Sequence, residues 1–160
     1  MEKYSILFIC MGNICRSPAA EGVMRQVLEK SRMNESVKVD SAGTHDYHIG
    51  EAPDPRIQRA ALKRGIDLSG LRARKVQPED FERYDLLLAM DQDNLALLRR
   101  GSPAKHRHKL DLFMRYSADF AAEEVPDPYY GDDRDFELVL DMAEDAARGL
   151  IGALKQNKAG

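Results

Sequence analysis

The stretch Cys10-Met11-Gly12-Asn13-Ile14-Cys15-Arg16-Ser17-Pro18 has the residue types and spacing of a catalytic anion site. It leaves an apolar run, turns through Gly12 and Asn13, and enters a helix at Pro18. Proline suits the first turn of a helix, where its missing N–H would be unpaired anyway. The backbone N–H groups of such a loop can converge on one point, and the helix N-terminus adds positive potential, which makes an oxyanion cradle. Arg16, at its edge, has a planar fork that matches phosphate oxygens in pairs. Cys10 enters the cradle from below. Inward N–H groups, a helix N-terminus and a guanidinium all favour thiolate over thiol. The Ser17 hydroxyl is placed to donate a further hydrogen bond to the sulfur. This is a nucleophile beneath a bound phosphoryl group. A lone cysteine at a strand end would read as an inert core thiol, but the turn, arginine, serine and proline around Cys10 make that reading poor. A Walker loop is excluded, because its Gly-Lys-Ser/Thr ending is missing.

The flanking sequence supplies the elements that would hold this loop. Tyr4 to Ile9 reads as a buried strand. Beyond Pro18, Ala19, Val23, Val27 and Leu28 fall near one helical face. Val37 to Asp40 predicts a short strand closed by Ser41-Ala42-Gly43, and Arg56 to Arg64 a helix stopped by Gly65. Tyr84 to Met90 is a further strand, with the continuous apolar centre of one covered on both faces. A helix from Asn94 to Arg100 and a strand from Lys109 to Phe113 follow. A long final helix carries Phe136, Val139, Leu140, Ala143, Ala147, Leu150, Ile151 and Leu154 at three-and-four spacing. This alternation predicts an α/β fold: an open parallel sheet of about four strands with helices on both faces. With no repeat, linker or composition break, residues 1–160 are expected to form one domain. Ligands in such sheets bind beyond the carboxyl ends of the strands, and Ile9-Cys10 is the first such end.

Composition narrows the function. Of 160 residues, 43% are hydrophobic and 32% charged, which excludes a disordered chain. The net charge of −3 argues against a nucleic-acid binder. Two cysteines make neither a disulfide framework nor a zinc site. Apolar runs are too short for membrane insertion and no signal peptide is read at the start, so cytoplasm is the default location. His45, His48, His106 and His108 read as surface or loop histidines. His106 and His108 are flanked by Lys105 and Lys109, which would repel a cation. No metal or cofactor is needed for a thiolate mechanism.

The Cys10–Pro18 run resembles the phosphate-binding loop of the low-molecular-weight protein tyrosine phosphatase family, which carries Cys-x5-Arg-Ser near its N-terminus. The likeness continues in Asp40-Ser41-Ala42-Gly43-Thr44, in Ala89-Met90-Asp91 with Asn94, and in Val125-Pro126-Asp127-Pro128-Tyr129-Tyr130-Gly131. The resemblance implies phosphotyrosine hydrolysis with Cys10 as nucleophile and Arg16 as phosphate ligand. Met11, Gly12, Asn13, Ile14, Cys15 and Ser17 would complete the phosphate site, with Asn13 holding the loop's shape. It makes Asp127 the general acid and then the general base. Pro126 and Pro128 restrict the backbone on either side of it, which fits a side chain held in place. Tyr129, Tyr130 and Tyr47 would wall the slot for the substrate ring, and Asp91 would orient Arg16 or cap the helix after it. Cys15 is expected to trap an oxidised Cys10 as a reversible disulfide. The expected partners are phosphotyrosine-containing proteins, a bacterial tyrosine kinase among them, and phosphate or other oxyanions.

Rival readings fail on particular residues. The related arsenate reductases need further cysteines, and none follows Cys15. Protein arginine phosphatases resemble the loop but carry threonine where Ile14 stands, and lack the paired tyrosines. A silent phosphate-binding module could discard Cys10 or Asp127, and both are present.

Overall fold

The structure is a computed structural model and describes residues 3–159. Four strands form one parallel sheet in the order β2-β1-β3-β4: β1 (Tyr4–Cys10), β2 (Val37–Gly43), β3 (Leu86–Ala89) and β4 (Leu110–Leu112). Among the described residues, five α-helices connect or follow them: α1 (Arg16–Lys30), α2 (Pro55–Leu62), α3 (Pro78–Arg83), α4 (Gln92–Gly101) and α5 (Asp133–Ala159). Side chains alternate across β1. Ile6, Phe8 and Cys10 join a core with α1 and α5, while Leu7 and Ile9 pack with Phe81 of α3 and with Leu95 and Leu98 of α4. Because both faces are covered, β1 is apolar at successive positions rather than alternating.

The chain runs from β1 to β2 on one side and returns to β3 on the other. The strand order therefore reverses at the carboxyl end of β1, where an open parallel sheet leaves a crevice. Cys10 is the last residue of that strand.

Several boundaries differ from the sequence reading. α1 begins at Arg16, two residues before Pro18, so proline sits inside the first turn, where its missing N–H costs nothing. β2 runs on through Ser41-Ala42-Gly43, pairing with β1 as far as Cys10↔Gly43. β4 shortens to three residues between two 3₁₀ turns. α3 has no counterpart in the sequence reading. Pro78 opens it, and buried Asp80 accepts the Gln77 N–H at 2.7 Å, but six residues are too few to display a helical period. α2 closes as Gly65 foretells: Gly65 has φ +78°, its N–H donates to Leu62 O, and the Ile66 N–H donates to Ala61 O.

Candidate active site

The loop between β1 and α1 is built with its carbonyls turned outward. Those of Cys10, Met11, Ile14 and Cys15 accept from the N–H groups of Thr44, His45, Asp54 and Ala19 at 2.9–3.1 Å. Among the described residues, the N–H groups of Met11, Gly12, Ile14 and Cys15 have no acceptor within the chain, so they are free for an anion. Asn13 makes the turn with φ +59°, a conformation that asparagine tolerates better than most residues. At Gly43 a Cβ would lie 2.8 Å from Met11 O, so only glycine lets the end of β2 pack this close to the loop.

Asn13 also fixes the direction of a buried hydrogen-bond chain. Its Oδ1 accepts the Arg74 N–H at 3.0 Å, which turns Nδ2 toward Ser17 Oγ (2.8 Å) and Ser41 Oγ (3.0 Å). Ser41 donates its own proton to Glu21 Oε1 at 2.6 Å. Ser17, already accepting from Asn13, has its proton for Cys10 Sγ at 3.0 Å, with Ala42 O the longer alternative at 3.5 Å. The Asn13 N–H donates to the same sulfur at 3.3 Å. Two donors thus converge on Cys10 Sγ. Burial raises the Glu21 carboxyl above its ordinary range, with Ser41 and Arg25 pulling the other way.

Arg16 is 4% exposed. Its Nη1 donates to Asp91 Oδ2 at 2.7 Å and to Val125 O at 3.0 Å, while Asp91 Oδ1 caps α4 by accepting the Asn94 N–H at 2.7 Å. Asp91 therefore both orients the guanidinium and caps the helix. Burial alone would weaken the Arg16 charge, but Cys10 and Asp91 outweigh it and hold the group above its ordinary value. Val125 also donates its N–H to Met90 O at 2.8 Å, which docks the Pro126–Pro128 segment against the end of β3. Asp127 Oδ2 lies 3.9 Å from Arg16 Nη2, and its Oδ1 accepts the Tyr129 N–H at 3.1 Å. Its side chain is half-exposed.

One pocket collects Cys10, Met11, Gly12, Ile14, Cys15 and Arg16 together with Asp127, Tyr129, Tyr130 and Tyr47. Asn13 and Ser17 do not line it. Both are buried behind the loop, where their polar atoms are taken by the chain just described. Tyr129 and Tyr130 meet edge to face at 5.0 Å, and Tyr47 stacks on His45 at 5.2 Å. Tyr130, 96% exposed, stands at the rim.

The pocket also holds His48, read from sequence as a plain loop histidine. Its ring edge packs over Gly12, and its Nδ1 pairs with Glu51 Oε2 at 2.8 Å. Proximity to Tyr47 is the one hint the sequence carries. The loop bearing Tyr47 and His48 is strapped to residue 73 by Gly50 N–H to Ala73 O and Ala73 N–H to Glu51 O, both at 2.8 Å. Arg74, next in line, reaches Asn13. These long-range straps leave no local sequence signal. Both cysteines are free and buried. Burial, and then the Asp54 carboxylate, push the Cys15 thiol far up. Among the described residues there is no cluster of metal-ligating side chains and no helix long and apolar enough to cross a membrane.

A nucleophile with two donors, a buried arginine and a carboxylate in one pocket can carry out phosphoryl transfer through the cysteine. Known proteins share the sequence and the fold over nearly the whole chain. The profile of the family described as low molecular weight phosphotyrosine protein phosphatase matches residues 5–159. A low molecular weight protein-tyrosine-phosphatase of Streptomyces coelicolor is 40% identical over 160 residues, covering 98% of this chain and 97% of the relative. The crystal structure of a protein tyrosine phosphatase from Entamoeba histolytica, with Hepes in its active site, superposes with a TM-score of 0.95 at 38% identity, covering 98% and 99% of the two chains. The tyrosine phosphatase Wzb from Escherichia coli K30, solved with sulphate, gives 0.83 at 35% identity, covering 96% and 99%. With sequence and fold shared over nearly its whole length, the chain belongs to the low molecular weight phosphotyrosine protein phosphatase family.

Proposed function

We propose that the chain hydrolyses phosphotyrosine in proteins through a cysteinyl-phosphate intermediate. In the first step Cys10 Sγ attacks phosphorus. An S–P bond forms, the P–O bond to the tyrosyl oxygen breaks, and Asp127 gives its proton to that oxygen. In the second step water attacks phosphorus while Asp127, now a carboxylate, takes its proton. The S–P bond breaks, inorganic phosphate leaves and the thiolate returns. Arg16 and the loop N–H groups hold the equatorial oxygens in both steps; such preorganised donors are usually the largest catalytic term. Tyr47, Tyr129 and Tyr130 offer flat apolar surfaces to the substrate ring.

The observation that carries this reading is the meeting of Cys10 Sγ, with its two donors, and the Asp127 carboxylate across the buried Arg16 guanidinium. The sulphate and Hepes held by the two solved relatives support an oxyanion in the cradle. The second cysteine in the loop supports a redox lock: peroxide converts the Cys10 thiolate to sulfenic acid, and Cys15 displaces water to form the disulfide.

A panel of phosphotyrosine, phosphoarginine and phosphoserine peptides tests the substrate class. Phosphate release from phosphotyrosine alone is expected; equal release from phosphoarginine would overturn it. Cys10→Ser should lose turnover by several orders of magnitude, and residual turnover within about tenfold of wild type would reject Cys10 as nucleophile. Asp127→Ala should lose about 10²–10⁴-fold on poor leaving groups and much less on good ones.

A further inference from the structure

Arg56, at the start of α2, links two parts of the site without touching the pocket floor. Asp54 caps α2 by accepting the Arg56 N–H at 2.8 Å, and the Arg56 guanidinium grips the same carboxylate through Nε (3.1 Å) and Nη2 (2.9 Å). The Asp54 side chain is only 9% exposed. Its backbone N–H donates to Ile14 O at 2.9 Å, so the pair stands on the phosphate loop. The guanidinium also covers two aromatic rings: its Cζ lies 5.4 Å from the Tyr129 centroid and 4.6 Å from the Phe136 centroid. Tyr129 in turn donates its N–H to Asp127 Oδ1. A continuous set of contacts therefore runs from Ile14 through Asp54, Arg56 and Tyr129 to Asp127.

We propose that Arg56 is a positioning residue for proton transfer, clamping the Asp127 segment to the phosphate loop. It touches no reacting atom; it acts through Tyr129. Asp127 is half-exposed, and among the described residues its carboxylate has only the long 3.9 Å approach to Arg16 and the Tyr129 N–H to locate it. Whatever fixes Tyr129 then fixes the carboxyl over the leaving oxygen, where a misplacement of about 1 Å can cost 10²-fold. The residue type matters. A planar guanidinium can grip a carboxylate with its edge while stacking its face on a ring, and an ammonium cannot do both. Phe136 on α5 makes the clamp stiff, because it is itself buried in the core.

The proposal rests on Asp127 as the proton donor, and the test separates the two. kcat/KM is measured for aryl phosphates of graded leaving-group acidity in wild type, Arg56→Met, Arg56→Lys and Asp127→Ala, with competitive inhibition by inorganic phosphate alongside. Arg56→Met should lose about tenfold on phenyl phosphate and about twofold on p-nitrophenyl phosphate, in the same sense as Asp127→Ala but smaller. Its phosphate inhibition constant should stay within about twofold, since the cradle is untouched. Arg56→Lys should fall between, and it decides the matter if Arg56→Met does not fold. Equal losses across the series, or no loss, would overturn the proposal. So would a parallel weakening of phosphate inhibition, which would place the role of Arg56 under the phosphate loop. If Asp127→Ala itself shows no leaving-group dependence, the donor assignment has failed and the proposal falls with it. If only the Arg56 variants lack it, the clamp alone is rejected.

Discussion

Ser17 is buried behind the pocket and still bears on Cys10. Asn13 occupies one of its lone pairs, and of the two acceptors within reach of its proton Cys10 Sγ is the nearer, at 3.0 Å against 3.5 Å for Ala42 O. A hydrogen bond to a charged group contributes about 1.5–3 kcal/mol. Ser17→Ala should therefore lower kcat by about 10–100-fold, because in the proposed second step the sulfur leaves phosphorus as an anion. An unchanged kcat would mean that the loop amides alone stabilise the departing sulfur. Cys15 sits in a different field. Burial first, and then Asp54, raise its thiol well above neutrality, so its reactive thiolate is scarce. Below that point the thiolate fraction grows about tenfold per pH unit. After peroxide, the share of Cys10 recovered as a Cys10–Cys15 disulfide, rather than as sulfinic or sulfonic acid, should rise between about pH 6 and 8. A share that stays flat by mass spectrometry would exclude Cys15 as the resolving thiol.

The elements divide by how local their causes are. The turn at the end of α2 is local: Gly65 sits at φ +78°, and a Cβ there would meet only Gln26 Nε2 at 3.7 Å. Gly65→Ala thus adds backbone strain of about 1–2 kcal/mol without a clash. A chain of this length should melt about 2–8 °C lower at unchanged kcat/KM. No shift would mean that the turn relaxes out of the left-handed region. Causes of this kind are legible in sequence, as are the long periodic face of α5, the apolar run of β1 and the Cys10–Pro18 loop. The six-residue α3 is not legible, because its stability comes from Asp80 bridging the Gln77 N–H and Arg74 at 3.0 Å. The outward carbonyls of the phosphate loop depend on Thr44, His45 and Asp54, and the strap at residues 50–51 depends on Ala73. His48 is not legible for the same reason: its place on the pocket wall follows from the strap, not from its neighbours in sequence. Pattern reading picks out candidate residues, and long-range backbone contacts determine which of them meet.

At the scale of the molecule, the site is where the separate elements are tied together. The phosphate loop joins the end of β1 to α1, accepts from Thr44 and His45 after β2, and holds Asp54 before α2; Arg16 reaches Asp91 at α4 and Val125 ahead of Asp127. An anion bound in the cradle engages groups that come together only in the folded chain. It should stabilise the whole fold by mass action, by about 2.7 kcal/mol when phosphate is a hundredfold above its dissociation constant. For a chain of this size that is a rise of roughly 5–11 °C in the thermal midpoint. Cys10→Ser should keep the rise, because the amides and Arg16 remain. Arg16→Lys should lose most of it, because an ammonium cannot bridge Asp91, Val125 O and a phosphate oxygen at once. If phosphate raised the midpoint of Arg16→Lys as much as that of wild type, the anion would be binding elsewhere, and the buried guanidinium would be a structural tie between α1 and α4 rather than a ligand.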